Sequence, residues 1–364
     1  MKVGILGAGQ LARMIALAGY PLGLEFIFLD PSEDSCANRL GEHLHGAYND
    51  PRLLAQLAER ADVVTYEFEN VPAEVAEFLS ARTQVHPAPK ALAVAQDRLI
   101  EKAFFRSIDI PTAPYAPVNS LADLEAAIIP IGLPAILKSC TMGYDGKGQS
   151  LIRSTDDLAA AWDALAGAPA VLEGFVPFNR EVSIIAARNV SGEVVFYSLS
   201  ENVHRGGILR VATSREGDPL QAKAEAYISR LMEALEYVGV LALELFDVDG
   251  DLIANEFAPR VHNSGHWTTE GAETSQFENH LRAILNLPLG ATSAVNKTAM
   301  INFIGGLPKD EALLAIPNAH LHLYDKAPRK GRKVAHATVR ANTSAELEAL
   351  ISQVSTLADQ VDDS

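Results

Sequence analysis

Apolar and polar positions alternate along the chain in two different rhythms, and the change between them divides it. The first hundred residues open on a short apolar run, Lys2 to Leu6, followed by helical spacing over Gln10 to Tyr20. Glu25 to Leu29 then predicts a strand, Pro51 to Arg60 a helix, Val63 to Tyr66 a strand and Pro72 to Ser80 a helix. This βαβαβα order implies a parallel sheet with right-handed crossovers. A further helix, Asp97 to Ser107, stops before Ile110-Pro111, and Pro111, Pro114 and Pro117 mark a connector.

Beyond the connector the rhythm shortens. Ala135 to Lys138 predicts a strand that ends on a lysine, and residues 143–149, GYDGKGQ, carry three glycines in seven positions. Strands follow at Ala170 to Glu173, Val182 to Ala187 and Glu193 to Tyr197, then a long helix from Gln221 to Tyr237. Val240 to Phe246 and Leu252 to Phe257 flank Asp249-Gly250, a strong hairpin signal. The remainder predicts a strand pair near Lys297 to Ile304 and His320 to Tyr324, a basic stretch from Lys326 to Lys333 and a closing helix from Ser344. The expected architecture is α/β: a Rossmann-like parallel-sheet domain over 1–100, an α+β block over 101–287 and a small C-terminal domain over 288–364.

Composition narrows the partners. The 364 residues suit two or three domains at roughly 150 residues each. Lys plus Arg is 30 and Asp plus Glu is 46, so the net charge is 30 − 46 = −16. So acidic a field disfavours nucleic acid. Cys36 and Cys140 are too few for a disulfide framework, and a reducing, cytoplasmic setting is expected. No apolar run approaches the roughly 18 residues of a membrane span. The opening MKVGILGAG meets glycine too early for a signal peptide.

Two glycine-rich loops carry candidate chemistry. Gly7-Ala8-Gly9-Gln10-Leu11-Ala12 matches the dinucleotide fingerprint, with Asp30 about twenty residues on. The match leaves three readings open: a dinucleotide, another phosphate held by backbone amides and the helix dipole, or a tight turn without a ligand. The GYDGKGQ loop lacks the Walker A spacing and is expected to act as a lid, with Lys147 supplying charge. Lys138, on an apolar strand, needs an anionic partner if it is buried.

Glu244 and Glu256 each interrupt an apolar strand of the predicted hairpin. Antiparallel pairing brings such residues close, and two buried carboxylates repel unless a cation lies between them. Magnesium shared with nucleotide phosphates fits that arrangement. Asp247, Asp249 and Asp251 read as hairpin residues, since no EF-hand pattern surrounds them. His43/His45 and His262/His266 lack any supporting zinc motif, but His262 neighbours Arg260 and Asn263 and is a candidate substrate contact.

In this order, a strand lysine, a glycine lid, an acidic segment and two metal carboxylates resemble the ATP-grasp superfamily. Longer strings sharpen the likeness: Gly9-Gln10-Leu11, YEFENVP at 66–72, GYDGKGQ, Asn202-Val203-His204, the run from Asn255 to His266, Ser275-Gln276-Phe277-Glu278 and Gly331-Arg332-Lys333. Together they resemble, over nearly the whole chain, the bacterial purine-biosynthetic branch that carboxylates 5-aminoimidazole ribonucleotide. The resemblance implies ATP, bicarbonate and 5-aminoimidazole ribonucleotide as substrates, giving the carbamate through carboxyphosphate, with magnesium as cofactor and a homodimer as the assembly. It implies that Arg98 and Lys138 hold ATP phosphates and that Gly143, Tyr144, Asp145, Gly146, Lys147, Gly148 and Gln149 form the lid. Glu173, Gly174, Phe175 and Val176 read adenine, Glu181 holds the ribose, and His204 borders the nucleotide. Glu244 and Glu256 bind magnesium beside Asn255. Tyr144, Asp145, Lys147, Arg260, His262 and Asn263 surround bicarbonate and the aminoimidazole, while Lys326, Arg332 and Lys333 close on the ribonucleotide phosphate opposite Gln10, Leu11 and Glu67. Two rivals stand beside this reading. One is an NAD-dependent oxidoreductase built on the first loop, and the other is a different ATP-grasp ligase, such as a formate-dependent transformylase.

Overall fold

The computed structural model describes residues 1–141 and 148–362. Strands β1 (Lys2–Leu6), β2 (Glu25–Asp30), β3 (Glu42–His45), β4 (Val63–Tyr66) and β5 (Gln84–Val85) form a parallel sheet in the order β3-β2-β1-β4-β5. The central strands are apolar throughout because helices cover both faces, as in α/β proteins generally. Helix α1 (Gln10–Gly19) packs on one side through Leu11, Met14 and Ile15, and α2 (Pro51–Arg60) on the other through Leu54 and Leu57. The strand order reverses between β1 and β4, so their carboxyl ends open the crevice in which ligands of such sheets are held. Strands β3 and β5 escape the hydrophobic pattern because they are short and partly polar.

Four strands, β6 (Tyr115–Val118), β7 (Ala135–Ser139), β8 (Gln149–Ile152) and β9 (Ala170–Gly174), make a small antiparallel sheet in the order β6-β9-β7-β8. The large sheet follows: β10 (Arg180–Arg188), β11 (Val194–Phe196), β12 (Leu199–Arg205), β13 (Ile208–Arg215), β14 (Gly239–Val248), β15 (Asp251–Ala258), β16 (Lys297–Gly305), β17 (Ala319–Leu323) and β18 (Arg329–Ala341). Its order is β15-β14-β10-β12-β13-β16-β18-β17, with β11 on β10. Mixed α/β architecture with a parallel N-terminal sheet is thus what the chain adopts.

Three local expectations change. The strands near Lys297–Ile304 and His320–Tyr324 do not pair with each other, because β18 lies between them. The basic stretch carries no strand pattern, yet from Arg329 it is the start of β18, and the charges sit on the strand end that leaves the core. Strands β12 and β13 were not predicted, since Asn202, His204 and Arg210 break their apolar alternation. Pairing of β16 with β13 makes the C-terminal strands a continuation of the central sheet.

Candidate active site

The site is organised around the β14–β15 hairpin. Asp249 and Gly250 take positive φ angles of 52° and 90°, the turn whose twist suits a tight hairpin. The resulting register sets Glu244 directly opposite Glu256. Leu243 and Leu245 pack into one core cluster, so Glu244 projects from the other face. Ala254 and Phe257 both enter that same cluster although they are three residues apart, which strict alternation forbids. A β-bulge opposite Glu244/Leu245 resolves this and turns Glu256 onto the face of Glu244. Burial, then the charge of Glu256, pushes the Glu244 carboxyl up to about 7. For Glu256 burial acts the same way but is outweighed by Arg98, whose Nη1 donates to Oε2 at 2.8 Å, so its carboxyl lies below the usual range.

Cations line the other wall. Asp97 caps the helix Arg98–Ser107, accepting from the amides of Leu99 and Ile100 at 2.8 and 3.1 Å. That helix aims Arg98, Glu101 and Lys102 inward. Lys102 Nζ and Lys138 Nζ lie 3.0 and 3.2 Å from one oxygen, Glu173 Oε2. Burial lowers the Lys138 ammonium, and the two lysines hold Glu173 below its usual range although burial opposes them. Glu101, raised to about 8 by burial and then by Glu256, accepts the Phe257 amide at 2.8 Å. With Glu101 neutral near pH 7, three cations face Glu173 and Glu256, an arrangement suited to a polyanion.

The segment expected at adenine stands beside these lysines. Both lysines meet Glu173 Oε2, while its Oε1 is buried without a hydrogen-bond partner, and the amides of Gly174 and Phe175 donate to Pro114 O and Pro134 O at 2.9 and 3.1 Å. Glu181 Oε2 stands 2.9 Å from His204 Nδ1, a pairing that raises His204 against the effect of its burial.

Opposite the acid pair stands a third wall. Arg260 grips Glu69 of the N-terminal domain through both Nε and Nη2, the latter at 3.0 Å from Oε1. Gln276 clamps the His262 backbone, accepting its N–H at 3.0 Å and donating to its carbonyl at 2.7 Å. Burial, then Arg260, keeps His262 neutral. Its Nε2 lies 3.3 Å from Glu244 Oε1. Asn263 and Asn302 exchange side-chain amide bonds at 2.6 and 3.2 Å. The charge of Lys333, on β18, reaches both Glu244 and His262.

At the crevice of the first sheet, Glu67 fills the glycine turn. Its oxygens accept the amides of Gly9 at 2.5 Å and Ala12 at 3.0 Å, while Asp30 accepts that of Ala8 at 3.0 Å. A Cβ on Gly7 would lie 2.3 Å from Glu67 Cγ, so glycine here makes room for a side chain of the same protein. These carboxylates occupy amides that a pyrophosphate would need, and the dinucleotide reading fails on that ground. The Leu11 side chain is buried in the core, which leaves its backbone alone for any ligand. Lys326 donates to Gln10 across the crevice, and burial lowers its ammonium. Arg332 Nη1 bonds Ala327 O at 3.3 Å.

Gly143, Tyr144, Asp145, Gly146 and Lys147 lie outside the described residues. Gly148 and Gln149 lead into β8. Sequence reasoning passed over Lys102, Glu69, Gln276 and Glu101. Lys102 had a signal, four residues from Arg98 on the helix face that also carries buried Phe105. Glu69 stands inside YEFENVP, but nothing local assigns it to Arg260.

An acid pair on a hairpin, a lysine on a separate small sheet and a cleft between them define an ATP-grasp ligase, and residues 103–277 match the ATP-grasp domain family. Residues 1–96 match the ribonucleotide synthetase preATP-grasp domain and 298–350 the phosphoribosylaminoimidazole carboxylase C-terminal domain. The chain is 54% identical over 357 residues to the N5-carboxyaminoimidazole ribonucleotide synthase of Pseudomonas aeruginosa, covering 98% of this chain and 99% of that one. The Thermus thermophilus synthetase structure superposes with a TM-score of 0.93 at 54% identity, over 98% of both chains. The Aspergillus clavatus enzyme in complex with ADP and 5-aminoimidazole ribonucleotide superposes with a TM-score of 0.92 at 33% identity, over 99% of both. The chain belongs to the N5-carboxyaminoimidazole ribonucleotide synthase family, ATP-dependent ligases that form a C–N bond.

Proposed function

We propose that this chain carboxylates the amine of 5-aminoimidazole ribonucleotide with ATP and bicarbonate, as a step of purine biosynthesis. The observation that carries the reading is one cleft joining three kinds of wall: the phosphate cations Arg98, Lys102 and Lys138, the acid pair Glu244/Glu256, and the acceptor wall of Arg260 and His262. Arg98 and Lys138 hold the ATP phosphates. The segment Gly174–Val176 borders adenine, Glu181 takes the ribose and His204 steadies Glu181. The resemblance of residues 143–149 gives the lid its role, with Tyr144, Asp145 and Lys147 serving the reacting phosphate and bicarbonate. Bicarbonate lacks a leaving group, and transfer of the terminal phosphoryl supplies one. The substrate amine then attacks the carboxyphosphate carbon or carbon dioxide released from it. Arg260, fixed by Glu69, orients the carboxylating species, and the chain's part is positioning and neutralisation of charge. Lys326, Arg332 and Lys333 take the ribonucleotide phosphate, with Gln10, the Leu11 backbone and Glu67 as the facing wall.

The residues fit magnesium. The two carboxylates face one another across the hairpin, and Asn255 Oδ1 beside them is buried without a hydrogen-bond partner. Among the described residues no cluster of three or more His, Cys, Asp or Glu could hold a metal. Glu244 and Glu256 would therefore share the ion with phosphate oxygens, where it supplies positive charge against the transferring phosphoryl. A homodimer and a cytoplasmic setting complete the reading. Exposed Leu17, Leu314 and Leu323 support the first, and the buried free thiols of Cys36 and Cys140 support the second. No helix among the described residues is long and apolar enough to cross a membrane.

ADP release, followed with and without 5-aminoimidazole ribonucleotide and bicarbonate, tests the function. Turnover should need both; ADP release indifferent to the ribonucleotide would overturn it.

A further inference from the structure

One cavity is lined by Glu69, Gln96, Arg98, Glu256 and Arg260 among others. Four of these residues are charged; Gln96 is not. Its backbone N–H donates to Leu92 O at 3.0 Å and closes the helix Pro89–Ala95. The next residue, Asp97, caps the helix that carries Arg98. The Gln96 backbone is thus held between two helix ends, and its side chain reaches across to the first domain.

The segment it meets lies on no helix or strand. Residues 67–72 connect β4 to the helix Ala73–Ser80. The ends of this connector are tied: the Glu67 amide donates to Leu6 O at 3.1 Å, and the Val71 side chain is buried in the core around the parallel sheet. Backbone carbonyls outside a ladder still need donors. Gln96 Nε2 supplies them, 2.6 Å from Glu69 O and 2.6 Å from Val71 O. Both partners only accept, so the amide nitrogen must face them, and its two protons serve one carbonyl each. Gln96 therefore holds the backbone of Glu69, and Glu69 holds the Arg260 guanidinium through Nε and Nη2. The same Gln96 stands one residue from the cap of the helix whose Arg98 donates to Glu256. A single side chain spans from the acceptor arginine's support to the phosphate arginine's helix.

We propose that Gln96 is a positioning residue for carboxylation: it fixes the 69–71 backbone and, through Glu69, holds Arg260 where a carboxylating species formed at the phosphate wall meets the substrate amine. The inference rests on the acceptor-wall reading above. Gln96 brings no charge to the phosphates, so its loss costs coupling rather than nucleotide binding. Misplacing a reacting group by about 1 Å can cost up to about a hundredfold, and a loosened connector is a smaller fault than a lost guanidinium.

Gln96→Met keeps the length and bulk of the side chain and removes both donors. Phosphate release and carbamate formation, measured in parallel in the whole enzyme, should give a carbamate-to-phosphate ratio about tenfold below that of the unaltered chain, with KM for ATP unchanged. Gln96→Ala, where water can hydrate the two carbonyls, should lower the ratio in the same way and secures the measurement if the thioether packs badly. Because the effect passes through one guanidinium, Gln96→Met added to Arg260→Ala should lower the ratio no further. An unchanged ratio in folded Gln96→Met and Gln96→Ala proteins would overturn the proposal, since a residue that only braces the fold would cost thermal stability and leave coupling intact. A further fall in the double variant would overturn it as well, by showing that Gln96 meets the substrates itself. The Arg260 Nε–H resonance, assigned by its loss in Arg260→Ala, reads the link without substrate. In Gln96→Met it should shift and exchange with solvent faster, and an unmoved resonance would again overturn the proposal. A moved resonance in a chain that makes no carbamate would instead leave the link standing and count against the functional reading.

Discussion

Two carboxylate sites in this molecule stand in different conditions. Glu67, at the end of β4, receives two backbone amides and closes the glycine turn with groups of the protein. Glu244 and Glu256 face one another across a hairpin, and burial with mutual repulsion leaves Glu244 up near 7. Both regions announce themselves in sequence as nucleotide-binding signatures. Burial raises Glu67 as well, but two amides and Lys326 pull it back, whereas Glu244 faces a second carboxylate, and that imbalance is what calls for a ligand. A satisfied acid holds a fold together, and an opposed pair waits for a cation.

The hardest test of this contrast is Glu256→Gln. It removes one charge from the pair and leaves Arg98 with a neutral partner, so turnover should fall by about a thousandfold, while the far-ultraviolet circular dichroism stays that of the native fold. Near-normal ATP-dependent turnover in a folded Glu256→Gln protein would erase the distinction between the two sites.

Arg260→Ala acts on the acceptor wall and takes the guanidinium away from Glu69. Carbamate formation should drop roughly ten- to a hundredfold, the scale of lost orientation, while ATP hydrolysis drops less. Phosphate and carbamate measured in parallel report that uncoupling; equal losses in both would place Arg260 with the nucleotide.

Glu67→Ala probes the satisfied site. Two amides at the start of α1 lose their acceptors, and stability should fall by about 1–3 kcal/mol. The denaturant midpoint measures this, and an unshifted midpoint would mean that Glu67 caps nothing.

Glu101 offers the smallest and most selective effect. Its pKa is raised from 4.5 to about 8, by burial first and then by Glu256. The folded state therefore holds this proton more tightly than the unfolded chain does. The associated stability is complete below pH 4.5 and is lost as pH rises through about 8. Glu101→Gln keeps an oxygen for the Phe257 amide and removes the proton, so stability against pH should flatten across that interval. A curve unchanged in slope would show that Glu101 does not titrate there.

Much of this was legible in the residues. The alternation of apolar strand and helix announced the parallel sheet. Asp249-Gly250 announced the hairpin, because few dipeptides accept positive φ at both positions. Acids inside apolar strands announced Glu244 and Glu256, since such positions tolerate charge only with a partner. Strands β12, β13 and β18 were harder to see, because their polar residues serve the cleft and blur the period that marks a strand.

What the sequence determined by itself was local: which segments are strands or helices, which turns need glycine, and which charges sit where burial makes them costly. Only the tertiary structure decided who answers those charges. The bulge at β15 turned Glu256 onto the face of Glu244, and no period in the residues predicts where alternation will break. Glu173 went to two lysines, one of them from a helix 71 positions earlier, Lys102 (173 − 102 = 71). Glu69 went to Arg260, 191 residues away. The glycine turn, which reads as a phosphate cradle, was given to Glu67, 58 residues from Gly9. A carboxylate and a phosphate satisfy the same amides by the same physics, so the turn alone cannot say which one it holds. That choice belongs to the packing that brings one of them there.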